Sequence, residues 1–134
     1  MLLNDFYTIE LLDRQGPSAR ARIRFNAGHK IFDGHFPGRP VVPGACLLQI
    51  VEEMTAGITG QSCRLIRADQ LKFIAMLDPS LTGTVEMTIV LHEAGEGKEA
   101  GERKEAGEGE WEVSADLSDG SVVYFKFKGV FRST

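Results

Sequence analysis

Four stretches of this chain alternate apolar and polar residues with a period of two. That pattern commits most of it to half-buried β-strands. Residues 19–25 set Ala21, Ile23 and Phe25 against Arg20, Arg22 and Arg24. Residues 84–91 place Val85, Met87, Ile89 and Leu91 on one face. Residues 111–117 oppose Trp111, Val113, Ala115 and Leu117 to Glu112, Ser114 and Asp116. Residues 121–131 alternate Val123, Phe125 and Phe127 with Tyr124, Lys126 and Lys128. Asp119-Gly120 between the last two runs is a hairpin-turn pair. Weaker strand patterns run from Phe6 to Leu12 and from Leu65 to Ile74.

One segment has helical spacing instead. From Gly44 to Met54 the apolar residues include positions 47, 50, 51 and 54. Pro43 fits a helix's first turn and Gly57 fits its end. The expected architecture is α+β, with one long helix wrapped by a curved antiparallel sheet of about six strands. With 134 residues the chain is one domain, 1–134.

Charge is localised. Residues 93–110 carry seven glutamates and three basic residues, which accounts for the whole net charge of −4. The rest of the chain balances twelve acidic against twelve basic residues. Within the acidic segment, 94–110 is a low-complexity repeat (AGEGKE, AGERKE, AGEGE) that cannot bury enough surface to offset its ordering. It is expected at a hairpin tip. The balance lacks the basic footprint of a nucleic-acid binder. No apolar run approaches the ~18 residues of a membrane span, and the start of the chain lacks signal-peptide features. Two cysteines, Cys46 and Cys63, are expected as reduced thiols, and the location as cytoplasmic.

Chemistry concentrates in residues 28–49, GHKIFDGHFPGRPVVPGACLLQ. Pro37, Pro40 and Pro43 stiffen this loop, and His35 lies within it. Gly44 opens the helix, where backbone N–H groups lack internal acceptors. A histidine beside such a donor suits acid/base work next to an oxyanion-type site.

The run His35-Phe36-Pro37-Gly38-Arg39-Pro40-Val41-Val42-Pro43-Gly44 closely resembles the signature of the 3-hydroxyacyl-(acyl-carrier-protein) dehydratases. That resemblance implies the hot-dog fold and a homodimer. It implies dehydration of (3R)-hydroxyacyl thioesters to trans-2-enoyl thioesters, with no cofactor and no metal. The carrier would be acyl carrier protein or coenzyme A. By position, His35 would remove the α-proton and the Val41 carbonyl would orient its ring. The Gly44 N–H would bind the thioester carbonyl. Phe36 and Ala45 complete the expected substrate contacts.

One position departs from the family. Fourteen residues after the histidine the family has Glu or Asp, which protonates the leaving hydroxyl, and this chain has Gln49. An amide holds no titratable proton. Glu53, one turn later, either replaces the acid, directly or through a water, or is only a solvent-facing or hydrogen-bonding helix residue, with Glu52 a weaker choice of acid. Two other readings stay open: a non-catalytic acyl-binding or partner subunit, and a thioesterase on the same fold.

Several residues have duller expectations. His29 fits a rim or loop hydrogen bond, Cys46 a small hydrophobe, and His92 a solvent-facing position. Phe32, Leu48, Leu71, Phe73, Ile74 and Met76 fit either an acyl tunnel or plain core. Arg39, Arg64, Arg67 and Lys72 could receive an acidic carrier protein.

Overall fold

The computed structural model describes residues 1–34, 40–93 and 109–134. His35, Phe36 and the rest of 35–39, with 94–108 of the acidic repeat, lie outside the described residues. Six strands form: β1 (Tyr7–Gln15), β2 (Ser18–Phe25), β3 (Cys63–Phe73), β4 (Val85–Glu93), β5 (Glu110–Ser118) and β6 (Val123–Ser133). They make one sheet in the order β1-β2-β4-β5-β6-β3, and every neighbouring pair is antiparallel. The helix α1 (Gly44–Thr59) joins β2 to β3, preceded by a 3₁₀ turn over Lys30–Gly34. This is the one-helix, six-strand antiparallel architecture that the alternation predicted.

The alternation works as expected in β2 and β4. Ala19, Ala21, Ile23 and Phe25 are buried, and so are Val85, Met87, Ile89 and Leu91. They meet the buried stripe of α1: Leu47, Ile50, Val51, Met54 and Thr55. Phe125, Phe127 and Phe131 of β6 add aromatic bulk to the same cluster. Each such side chain contributes roughly 1.5–3 kcal/mol by leaving water.

Three details differ from expectation. The helix passes through Gly57 and ends at Thr59, where Gly60 takes the left-handed φ of 73° and donates to Ala56 O. That conformation costs glycine little, so Gly60 is the stop. Arg14 on β1 reaches the Ile58 carbonyl at 3.2 Å and meets the negative end of the helix. Pro43 stands just before the first turn as the cap residue. Tyr124 is buried instead of pointing outward with Lys126. Its carbonyl accepts from Ile74 N–H, and its hydroxyl donates to Asp119 at 2.6 Å. The chain after β3 thus covers it.

The two edge strands, β1 and β3, retain apolar exposure. Phe73, Ile74 and Met76 are 52–61% exposed at the end of β3 and just beyond. No helix among the described residues is long and apolar enough to cross a membrane.

Candidate active site

The helix start is held by its neighbours. Val42 N–H donates to Leu77 O at 2.9 Å, which fixes the entry of the chain into α1. The first intrahelical donors are Cys46 and Leu47, both to Pro43 O. The N–H groups of Gly44 and Ala45 therefore precede the helix's own bonding ladder. Pro43 supplies no side-chain cap. Val41 is buried and Ala45 exposed.

Gly44 has a steric reason to be glycine. A Cβ there would lie 2.6 Å from the ring of Phe73. Phe73 in turn stacks on Phe125, with centroids 5.5 Å apart. An apolar groove of about 430 Å³ opens here, lined by Val42, Gly44, Leu47, Phe73, Ile74 and Met76. Three of the residues offered as tunnel or core thus line this groove. Phe32 does not: it is buried against Phe6 in the core.

Gln49 and Glu53 lie one turn apart on α1, as their spacing requires. The sequence offered Glu53 as a replacement acid, and the structure makes it an acceptor. Its carboxylate takes four hydrogen bonds: from Leu2 N–H at 2.7 Å, Leu3 N–H at 2.9 Å, Tyr7 Oη at 3.0 Å and Gln49 Nε2 at 3.0 Å. Burial alone would push this carboxyl up, but the four donors outweigh it and hold it below its usual range. An ionised carboxylate has no proton to give. Tyr7 shifts the other way: burial, and then the Glu53 charge, raise its phenol. Glu52 stays half-buried on another face of the helix, its backbone carbonyl near the Cys63 thiol.

The bond to Glu53 also orients Gln49. Its amide NH₂ faces the carboxylate, so the end turned away is the carbonyl oxygen Oε1, an acceptor. No sequence signal foretold this arrangement. Tyr7 and the amides of Leu2 and Leu3 lie 46 to 51 residues from Glu53. Local periodicity cannot report such a contact.

A pH consequence follows. The depressed carboxyl favours the folded state above its unfolded value, near 4.3. That contribution is lost as pH falls through the lower, folded value. In urea titrations, wild-type stability is expected to drop below about pH 4.5 more steeply than that of Glu53→Gln. Parallel acid limbs in the two proteins would contradict the linkage.

His29 is buried and makes the loop hydrogen bonds expected of it. Its Nδ1 accepts from Ile31 N–H at 3.0 Å, and its Nε2 lies 2.9 Å from Asp5 Oδ2. Asp5, held low first by this bond to His29, is the acceptor. His29 thus carries its proton on Nε2. His92 is exposed at the end of β4. Burial raises both thiols, Cys63 to about 11, so neither is an activated nucleophile. Arg64, Arg67 and Lys72 all lie exposed on β3, with Arg67 paired to Asp69 at 2.7 Å.

Comparison with known proteins gives the family and the fold. The model of the ApeI-like family, described as ApeI dehydratase, matches residues 12–100. The chain belongs to the ApeI-like dehydratase family. It is 29% identical over 82 residues to a 3-hydroxyacyl-[acyl-carrier-protein] dehydratase FabZ of Photorhabdus laumondii, covering 58% of this chain and 55% of that protein. The FabZ of Syntrophomonas wolfei is 31% identical over 99 residues, 67% of each chain. The chain thus spans about half the length of the first relative and two thirds of the second. The dehydratase heterocomplex ApeI:P from Xenorhabdus doucetiae superposes with a TM-score of 0.67 at 17% identity, covering 92% of this chain and 96% of that one. A phenylacetic acid degradation-related protein from Ralstonia eutropha gives 0.57 at 17% identity, with 94% and 83% covered. The fold of this ApeI-like chain is the hot-dog fold.

Proposed function

We propose that this ApeI-like chain dehydrates (3R)-hydroxyacyl thioesters, and hydrates trans-2-enoyl thioesters, with His35 as the sole titrating group. The observation that carries the reading is the Gln49–Glu53 bond. It leaves the helix with an acceptor to offer, and the carboxylate that Gln49 bonds, Glu53, is ionised.

The steps balance without a second acid. The thioester carbonyl accepts from the Gly44 N–H, which stabilises the charge that develops there as the α-proton leaves. The imidazole of His35, its other nitrogen donating to the Val41 carbonyl, takes that proton from C2. The electron pair left on C2 forms the C2=C3 bond as the C3–O bond breaks. The imidazolium then gives the same proton to the departing oxygen, and water leaves. Gln49 Oε1 accepts from the 3-hydroxyl and turns the oxygen's lone pair toward His35. One group can serve both steps only if proton and hydroxyl leave from the same face of the chain. Phe36 and Ala45 flank the thioester, and the apolar groove takes the acyl chain. The carrier is acyl carrier protein or coenzyme A, and Arg39, Arg64, Arg67 and Lys72 suit an acidic carrier. The exposed apolar end of β3 supports a homodimer.

A second reading has its own support. A helix without a proton donor suits a non-catalytic subunit that works beside an active partner, and the superposed Xenorhabdus protein is a dehydratase heterocomplex.

The test is the pH–rate profile for hydration of a short trans-2-enoyl carrier thioester, followed by loss of the conjugated absorbance between about pH 5 and 9. One ionisation, with activity lost only on the acid side, is the expected result. Gln49→Glu should add a second limb at high pH and give a bell. A bell in the wild-type protein would sink the one-group mechanism. Thioester binding without turnover would establish the non-catalytic reading.

A further inference from the structure

Residues 2–7 touch both halves of the site's scaffold. On one side, Leu2 N–H, Leu3 N–H and Tyr7 Oη converge on Glu53, which holds Gln49. On the other, Asp5 accepts from His29, whose Nδ1 secures the Ile31 N–H at the start of the 3₁₀ turn. That turn, Lys30–Gly34, runs directly into His35. Further contacts tie the same residues to the same loop. Asn26 Nδ2 donates to Asp5 O, Asn26 N–H donates to Phe6 O, and the Phe6 ring meets His29 edge-on at 5.4 Å. Asn4 adopts a left-handed φ of 68° and donates to Tyr7 O at 2.6 Å, which keeps the arm in a tight turn.

We infer that residues 2–7 are a brace that positions the 3₁₀ turn preceding His35 relative to the Gln49-bearing helix, with Asp5, His29 and Glu53 as its positioning residues. The inference rests on the dehydratase reading for its purpose but not for its existence. Asp5 and Glu53 touch different elements and are joined through a single short arm. Loosening one end of the arm therefore loosens the other.

Amide hydrogen exchange reads this without any turnover. Glu53→Ala should speed exchange at Ile31 and Phe32 by about tenfold, although the bonds to Glu53 come from Leu2, Leu3, Tyr7 and Gln49. Asp5→Ala should do the same at Leu2 and Leu3. Asp5→Asn keeps an acceptor for His29 Nε2–H and should restore protection. Changes confined to each variant's own neighbours would overturn the brace. In turnover, Asp5→Ala should lower kcat about tenfold with KM nearly unchanged, and Asp5→Asn should recover it. Coupled exchange with an unchanged kcat would overturn the positioning role. A wild-type protein without turnover would count against the dehydratase reading alone, because the exchange result stands by itself.

Discussion

His35→Ala is expected to lower hydration of the enoyl thioester by about 10²- to 10⁴-fold, the range typical of a lost general acid or base. The effect should sit toward the upper end, since in the proposed mechanism one imidazole both removes the α-proton and returns it to the leaving oxygen. Where base and acid are separate groups, losing the histidine leaves the acid in place. In this chain Glu53 offers no such acid, because it is ionised and bound by four donors. Thermal stability and thioester binding should change little, since the apolar groove and Gly44 remain. The measurement is kcat with binding run in parallel. Turnover surviving in His35→Ala would refute the assignment of His35. Lost binding together with lost turnover would point to a structural role.

Gly129→Ala should destabilise the fold by about 3 kcal/mol, the upper range for forcing atoms into a packed core. Gly129 lies on β6 between Val113 of β5 and Ala68 of β3. A Cβ there would collide with the Arg67 carbonyl oxygen and lie 2.6 Å from the Phe127 ring. The oxygen belongs to the backbone and cannot rotate away. β3 is irregular on both sides of this contact, between Leu65 and Arg67 and between Ala68 and Gln70, so the strand bends where it meets Gly129. For a chain of this length the loss corresponds to about 10 °C in Tm. An unchanged Tm would mean that β3 does not approach β6 so closely. An intact Tm loss with normal kcat per folded molecule would place Gly129 in the scaffold alone.

The strands were legible because burial on one face of a sheet imposes a period of two, and β2, β4 and β5 carry it cleanly. β6 carried it through Lys126 and Lys128, but Tyr124 and Val130 of the same face are buried, and at Tyr124 the chain after β3 provides the cover. The helix was legible through its apolar spacing. Its end was not, because Gly57 and Gly60 are equally plausible stops until the backbone shows which is left-handed. The chemistry was half legible. The motif from His35 to Gly44 gave the family, and the departure at Gln49 could be read directly. Glu53 lies one turn from Gln49 as its spacing required, but whether it holds a proton was not legible, because that depends on the N–H groups of Leu2 and Leu3 and on Tyr7.

The sequence by itself determined the α+β class, the six strands, the helix and the absence of a carboxyl at position 49. These rest on local periodicities and on residue identity, which each segment carries alone. Only the tertiary structure decided what Glu53 does, which end of the Gln49 amide is free and how residues 2–7 tie the loop to the helix. Apart from the Gln49–Glu53 bond within the helix, those properties depend on hydrogen bonds between groups 24 to 51 residues apart. A proton stays or leaves according to the donors around it, and chain folding alone brings those donors together.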